Sequence, residues 1–202
     1  MESKNYAEEN IPAPLGLIEQ VVAKYKNYNL KPQYSFYNLF NKVDLNGNTE
    51  YHRNNELWGK DIPFNTWNNK VWEEEQKQET DQRKKNEVKG LYIFFENGEP
   101  IYVGISRTIL RRLKNHFLGK THNTASLVYL ILRDKHDREK GLFLGERAEL
   151  SLFNSEREPK QEEMRSKWSI SIIPMEDNYE MYLTEFYLAC HLKTKWNSFE
   201  TH

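Results

Sequence analysis

Cysteine is nearly absent. Of 202 residues only Cys190 carries a thiol, so no intramolecular disulfide can form and a reducing compartment is the expectation. A paired-cysteine zinc knuckle is excluded for the same reason, and His, Cys and Asp nowhere cluster at zinc spacing. No apolar run approaches the ~20 residues that a transmembrane helix needs. The opening Met1-Glu2-Ser3-Lys4-Asn5-Tyr6 lacks the apolar stretch of a secretion signal, so no membrane association and a cytoplasmic location are expected. Glycine, at 9, and proline, at 7, are too few for a collagenous or low-complexity chain. Charge of one sign is missing too: 29 Lys+Arg face 30 Asp+Glu, a net charge of -1. The total therefore draws the chain neither to nucleic acid nor away from it.

What the chain has is aromatic bulk and a local imbalance of charge. Five Trp, 12 Tyr and 10 Phe supply a core despite a mean hydropathy of -0.89. From Pro100 to Arg133 there is no acidic residue, while Arg107, Arg111, Arg112, Lys114, Lys120 and Arg133 all fall there. Such a patch is either a solvated helix face or a surface for phosphates.

The pattern divides the chain in two. Residues 1–88 read as a mainly helical N-terminal extension that serves specificity or dimerisation. Leu17, Ile18, Val21, Val22 and Tyr25 recur at helical spacing and predict a helix over 14–27. Residues 34–40 read as a buried, helical segment, and residues 44–48 as a turn whose Gly and closing Glu are misplaced for a calcium loop. The aromatic stretch around Trp58, Trp67 and Trp72 reads as compact, and the charged residues 73–87 as an exposed helix or tether.

Residues 89–202 change character. Leu91-Tyr92-Ile93-Phe94-Phe95 and Ile101-Tyr102-Val103-Gly104 predict two strands joined by an Asn97-Gly98 turn, hence an antiparallel hairpin. Ser106 is placed to cap a helix running to Phe117, with Ile109, Leu110, Leu113 and Phe117 as its stripe and Gly119 as its stop. A second helix is expected over 125–133, a hydrophilic insert over 134–167 with an amphipathic piece at 142–153, a strand over 168–173 and a last helix over 179–193. The fold class is α/β (α+β): a small three-stranded mixed or antiparallel sheet flanked by helices, in β-β-α-α-β-α order.

Several residues in this part suit phosphate chemistry. Gly90-Leu91-Tyr92 and Tyr102-Val103-Gly104 place two tyrosines on paired strands. Arg112 and His116 share one helical face. A guanidinium is a planar fork for phosphate oxygens, and an imidazole titrates near neutrality. Glu185 has Met181, Tyr182, Leu188 and Ala189 as helical neighbours. A carboxylate in that setting needs an ion-pair partner or a hard divalent cation such as Mg²⁺.

Taken together these residues resemble the signature of the GIY-YIG nuclease superfamily. Tyr102-Val103-Gly104-Ile105-Ser106 leads to Arg112, at the position of the family's catalytic arginine, and His116 falls where many members have a histidine or tyrosine. Glu185 and Asn197 look like the family's metal-binding glutamate and its closing asparagine. Leu91 and Val103 stand where the signature has isoleucines. The resemblance covers about Lys89 to Asn197. It implies a divalent-metal-dependent DNA endonuclease using Mg²⁺ or Mn²⁺. Tyr92, Tyr102, Arg112, His116 and Glu185 would be catalytic, Glu185 would be the metal ligand, and Gly90, Gly104 and Asn197 would order the site. Arg107, Arg111, Lys114 and Lys120 would be DNA-backbone contacts. Either tyrosine could be the base, with His116 as its relay partner. The long insert points to the restriction-endonuclease branch, acting on double-stranded DNA as a homodimer. The alternatives are a non-catalytic DNA-binding or partner-binding module, or a repair or mobile-element nuclease.

Overall fold

The computed structural model describes residues 14–45, 48–54, 88–140 and 153–197. Along the chain these form α1 (Pro14–Tyr25), β1 (Tyr34–Ser35), α2 (Phe36–Leu39), β2 (Phe40–Leu45), β3 (Asn48–Arg53), β4 (Gly90–Glu96), β5 (Glu99–Ser106), α3 (Ile109–Leu118), α4 (Ser126–Lys140), α5 (Asn154–Lys167), β6 (Trp168–Pro174) and α6 (Asn178–His191).

The main sheet is antiparallel throughout, in the order β1-β6-β4-β5. Its central strand β4 is buried from Gly90 to Phe95. It is covered on both faces, which is why its sequence is a continuous apolar run rather than an alternation. Asn97 and Gly98, at φ 54 and 84, make the two-residue turn to β5. Tyr92, Phe94, Ile170 and Ile172 pack on one face with residues of α3, α4 and α5. Leu91, Ile93, Val103 and Ile173 pack on the other, against Val21 and Tyr25 of α1 and Met181, Leu188 and Ala189 of α6.

The register contains one irregularity. Phe94 pairs with Tyr102, but Phe95 pairs with Pro100, so Ile101 is an extra residue in β5. The bulge keeps Ile101 and Tyr102 both on the face of Tyr92 and Phe94. Regular pleating would send one of them to the other side.

Four expectations need correction. The sheet has a fourth strand, because Tyr34 and Ser35 pair with Ile170 and Ser169 of β6. The described part of the N-terminal extension is not mainly helical. Beside α1 and the single turn α2 it holds the β2–β3 hairpin, and Phe36, Leu39 and Phe40 enter the core of the sheet. The hydrophilic stretch 134–167 extends α4 to Lys140 and adds α5, whose Gln161, Met164 and Arg165 are buried. The order after β5 is therefore α-α-α-β-α. Finally, Ser106 does not cap α3. It ends β5, its hydroxyl accepts from the Thr108 N–H at 3.0 Å, and Thr108 is the cap residue. The regions read as an aromatic cluster around Trp58 and as a tether over 73–87 lie outside the described residues, as does the piece at 142–152.

Candidate active site

The site gathers where β4, β5, α3 and α6 meet at the β5 edge of the sheet. Pairing puts Tyr92 opposite Gly104 and Phe94 opposite Tyr102. Tyr92 and Tyr102 are thus diagonal neighbours on one face, their ring centroids 6.1 Å apart. Both signature glycines are required by space. A Cβ on Gly104 would lie 2.5 Å from the Tyr92 hydroxyl and 2.8 Å from the Tyr102 ring. Gly90 sits at φ +147, and a Cβ there would come within 2.2 Å of the Ile173 carbonyl.

Tyr92 and His116 are fully buried, and the Tyr92 hydroxyl meets His116 Nε2 at 2.8 Å. His116 therefore belongs to the packed stripe of α3 rather than to a face beside it. Its Nδ1 is buried without a hydrogen-bond partner. An orphaned lone pair costs less than an orphaned N–H. The favoured tautomer thus carries the proton on Nε2 and donates it to Tyr92. Burial, reinforced by the nearby Arg112 charge, holds the His116 pKa well below its usual value, so the imidazole is neutral.

Arg112 is half-buried one turn earlier on α3. Its Nη2 donates to Ser126 Oγ at 3.1 Å, at the start of α4. Burial pushes the Tyr92 phenol well up, with Tyr102 adding to the rise and Arg112 opposing it. Tyr102 is also raised by burial. Arg112 and the Tyr92 hydroxyl pull it down, and the Glu185 carboxylate pushes it up. Tyr102 is the more accessible of the two phenols.

Glu185 reaches the same place from α6. Burial lifts its carboxyl to about 7, opposed by the Ile105 backbone N–H. Among the described residues no group of three or more His, Cys, Asp or Glu could hold a metal ion. A half-buried carboxyl that titrates at about 7, with no cationic partner among the described residues, still fits one hard divalent cation, which completes its shell with water and phosphate oxygens.

Asn197 lies at the free edge of β5. Its Nδ2 donates to the Val103 carbonyl at 2.7 Å, and its Oδ1 accepts from the Val103 N–H and from Thr194 Oγ1, both at 2.8 Å. The side chain thus pairs with β5 as a neighbouring strand would. Arg107, Arg111, Lys114 and Lys120 are exposed, and the structure draws none of them into the cluster of Tyr92, Tyr102, Arg112, His116 and Glu185.

Two sets of contributors were not foreseen. One is Ser126, the partner of Arg112. The other lies in the insert, where α5 caps the end of the helix that carries Arg112 and His116. Gln161 Nε2 donates to the carbonyls of His116 and Gly119 at 3.1 and 3.0 Å. Arg165 Nη1 donates to the Phe117 carbonyl at 2.7 Å, and Arg157 Nη1 to that of Gly119 at 2.9 Å. These are carbonyls that a helix end leaves without internal partners. Only the charge run in 154–167 hinted at them, and it reads equally as a solvated face.

In comparison with family models, residues 88–164 match the GIY-YIG catalytic domain. The match supports the GIY-YIG nuclease superfamily for this region, and the mixed architecture of antiparallel strands flanked by helices is consistent with that fold. No curated protein and no solved structure matches the chain. The matched segment holds Tyr92, Tyr102, Arg112 and His116, whereas Glu185 and Asn197 lie beyond it and are brought to it by the fold. No helix among the described residues is long and apolar enough to cross a membrane.

Proposed function

We propose that this protein is a divalent-metal-dependent endonuclease that hydrolyses phosphodiester bonds of double-stranded DNA. The observation that carries the reading is the convergence of Tyr102, Arg112 and Glu185 at one edge of the sheet, from three separate elements. Tyr102 is the base. Its oxygen lies beside the Arg112 guanidinium and the Tyr92 hydroxyl, both of which favour its ionised form. His116 supports it from behind by donating to Tyr92, and, held neutral, it orients that phenol rather than storing the proton taken from water. Arg112, fixed by Ser126, binds the scissile phosphate and stabilises charge that develops on it.

Glu185 would hold Mg²⁺ or Mn²⁺. Bound there, the ion would supply Lewis-acid stabilisation of the leaving oxygen. Asn197 orders the strand that carries Tyr102, and Gly90 and Gly104 leave the space in which the phenols meet. Arg107, Arg111, Lys114 and Lys120 contact flanking phosphates. Residues 1–88 contribute specificity or a dimer contact, and a symmetric dimer would present two sites to a duplex in a restriction or defence role in the cytoplasm.

The test is plasmid cleavage with Mg²⁺ against EDTA, followed by single-turnover rates for Tyr102→Phe and Tyr92→Phe. Tyr102→Phe should abolish cleavage with binding intact, while Tyr92→Phe should retain part of it. The reverse order would move the base to Tyr92, and no metal-dependent cleavage at all would leave a DNA-binding module.

A further inference from the structure

The N-terminal extension reaches the helix that carries Arg112 and His116 at Phe117. Phe117 follows His116 near the end of α3 and is fully buried. Its ring meets Phe36 of α2 at 5.0 Å between centroids and Phe94 of β4 at 5.4 Å. Its carbonyl accepts from Arg165 Nη1 of α5 at 2.7 Å. Tyr51 of β3 stands behind both of these contacts. Its ring makes a T-shaped contact with Phe36 at 5.0 Å, and the Arg165 guanidinium carbon lies over the same ring, 6.0 Å from its centroid. One half-buried side chain of the β2–β3 hairpin thus backs both the ring and the carbonyl of Phe117.

Arg165 is charged yet only 4% exposed. Its Nε and Nη2 donate to Glu162 and Glu158, which belong to its own helix and are themselves exposed. The Nη1 bond to Phe117 is the one that leaves α5 for α3. A charged donor on a helix-end carbonyl makes one of the stronger hydrogen bonds, and excluding water strengthens it further. Tyr51 supplies that exclusion, and its π face attracts the cation. The consequence lies back along α3. An α-helix of ten residues transmits a displacement of its end along its axis. His116 meets the Tyr92 hydroxyl at 2.8 Å and Arg112 meets Ser126 Oγ at 3.1 Å. A shift of about 1 Å takes either contact beyond hydrogen-bond range.

We propose that Tyr51 is a positioning residue for the reaction: through Phe36 and Arg165 it fixes Phe117, and so keeps His116 on Tyr92 and Arg112 where it receives the phosphate. This rests on the nuclease reading above. It gives the β2–β3 hairpin a part in the chemical step that is separate from specificity or dimerisation. Tyr51 itself touches no reacting atom.

The experiment uses the full chain. Single-turnover cleavage of plasmid DNA in Mg²⁺, over a range of protein concentrations, separates the maximal rate from half-saturation. Urea denaturation sets conditions in which each variant is folded. Tyr51→Leu removes the ring and should lower the maximal rate about 10- to 100-fold, the cost of misplacing a catalytic group by roughly 1 Å, with half-saturation within about twofold of wild type. Tyr51→Phe keeps the ring and should hold both near wild type. Arg165→Lys keeps the charge but cannot bridge the Phe117 carbonyl and two carboxylates in one plane, so it should fall as Tyr51→Leu does. It carries the test if Tyr51→Leu does not fold. A folded Tyr51→Leu with the wild-type maximal rate overturns the proposal. So does a loss confined to half-saturation, which makes the hairpin a DNA contact, and so does an equal loss in Tyr51→Phe. Amide hydrogen exchange in EDTA reads the same contact without activity: protection over 113–118 of α3 should drop in Tyr51→Leu and persist in Tyr51→Phe. If wild type cleaves no DNA, the nuclease reading fails while that drop leaves the hold of Tyr51 on α3 standing; unchanged protection removes the hold whether or not DNA is cut.

Discussion

Replacing Glu185 by glutamine should make the protein more stable and the enzyme inactive. The carboxyl titrates at about 7 against an ordinary 4.5 because burial disfavours its charge. The folded state thus holds this proton more tightly than the unfolded chain does. Stability from this group is complete below pH ~4.5 and is lost as the pH rises through about 7. At ~1.4 kcal/mol per pH unit the ceiling on that loss is about 3 kcal/mol, and water at this half-buried position reduces it to about 1–2 kcal/mol. Glutamine keeps the shape and cannot ionise, so it removes the loss. Urea denaturation in EDTA at pH 5 and pH 8 measures this directly. The variant should match wild type at pH 5 and exceed it by about 1–2 kcal/mol at pH 8, a gain of roughly 2–8 °C in Tm for a chain of this size. Added Mg²⁺ should restore wild type at pH 8 and leave the variant unmoved. Cleavage should collapse in the variant, and in wild type at limiting Mg²⁺ it should fall as the pH drops below about 7. A variant less stable than wild type at pH 8 would falsify the argument, because Glu185 would then be one half of a structural ion pair.

Three further perturbations probe the same site. Gly104→Ala should drive Tyr92 and Tyr102 apart, cost about 1–3 kcal/mol by overpacking and abolish cleavage; a fully active variant would show that the phenols need not sit where they do. Arg112→Ala and Arg112→Lys should both lose single-turnover rate at saturating protein, whereas Arg111→Ala should weaken binding and lower the salt dependence by about one charge; a larger rate loss in Arg111→Ala would exchange their roles. Gln161→Leu removes two donors from the end of α3 and should cost about 1–3 kcal/mol, with a greater effect on kcat than on KM; unchanged kinetics would make α5 a scaffold only.

The parts of this molecule that could be read from the sequence are those whose signal is local. Asn97-Gly98 between two apolar runs specifies its turn through backbone sterics alone. The stripe of α3 and the strands β4, β5 and β6 follow from periodicity and β-branched content. The candidate site residues were nameable because the Gly-Tyr and Tyr-Gly pairs and Arg112 lie within one short stretch. What stayed hidden depends on partners far along the chain. Tyr34 and Ser35 look like part of a helix until β6 offers them an edge, and the tertiary partner overrides the local preference. A packed His116 is one reading the sequence allows, but a lone histidine beside an apolar stripe carries no mark of the tyrosine that will meet it. Gln161 and Arg165 sit in a run of charges, and their burial comes from α3 carbonyls about 45 residues earlier in the chain.

The amide of Asn197 has a counterpart on the far side of the sheet. There Gln33 accepts the Ile172 N–H on its side chain at 3.1 Å, while its own N–H donates to the Ile170 carbonyl at 2.9 Å. Each outer margin is therefore closed in part by a side-chain amide, and β1 next to Gln33 is only two residues long. An open strand margin is a template on which another chain can grow. Here the backbone groups that would seed such growth at Val103 and Ile172 are already taken. Among the described residues, another strand could not pair at these two positions without displacing an amide side chain. The strand that carries Tyr102 is thereby kept from recruitment into an aggregate that would bury the site.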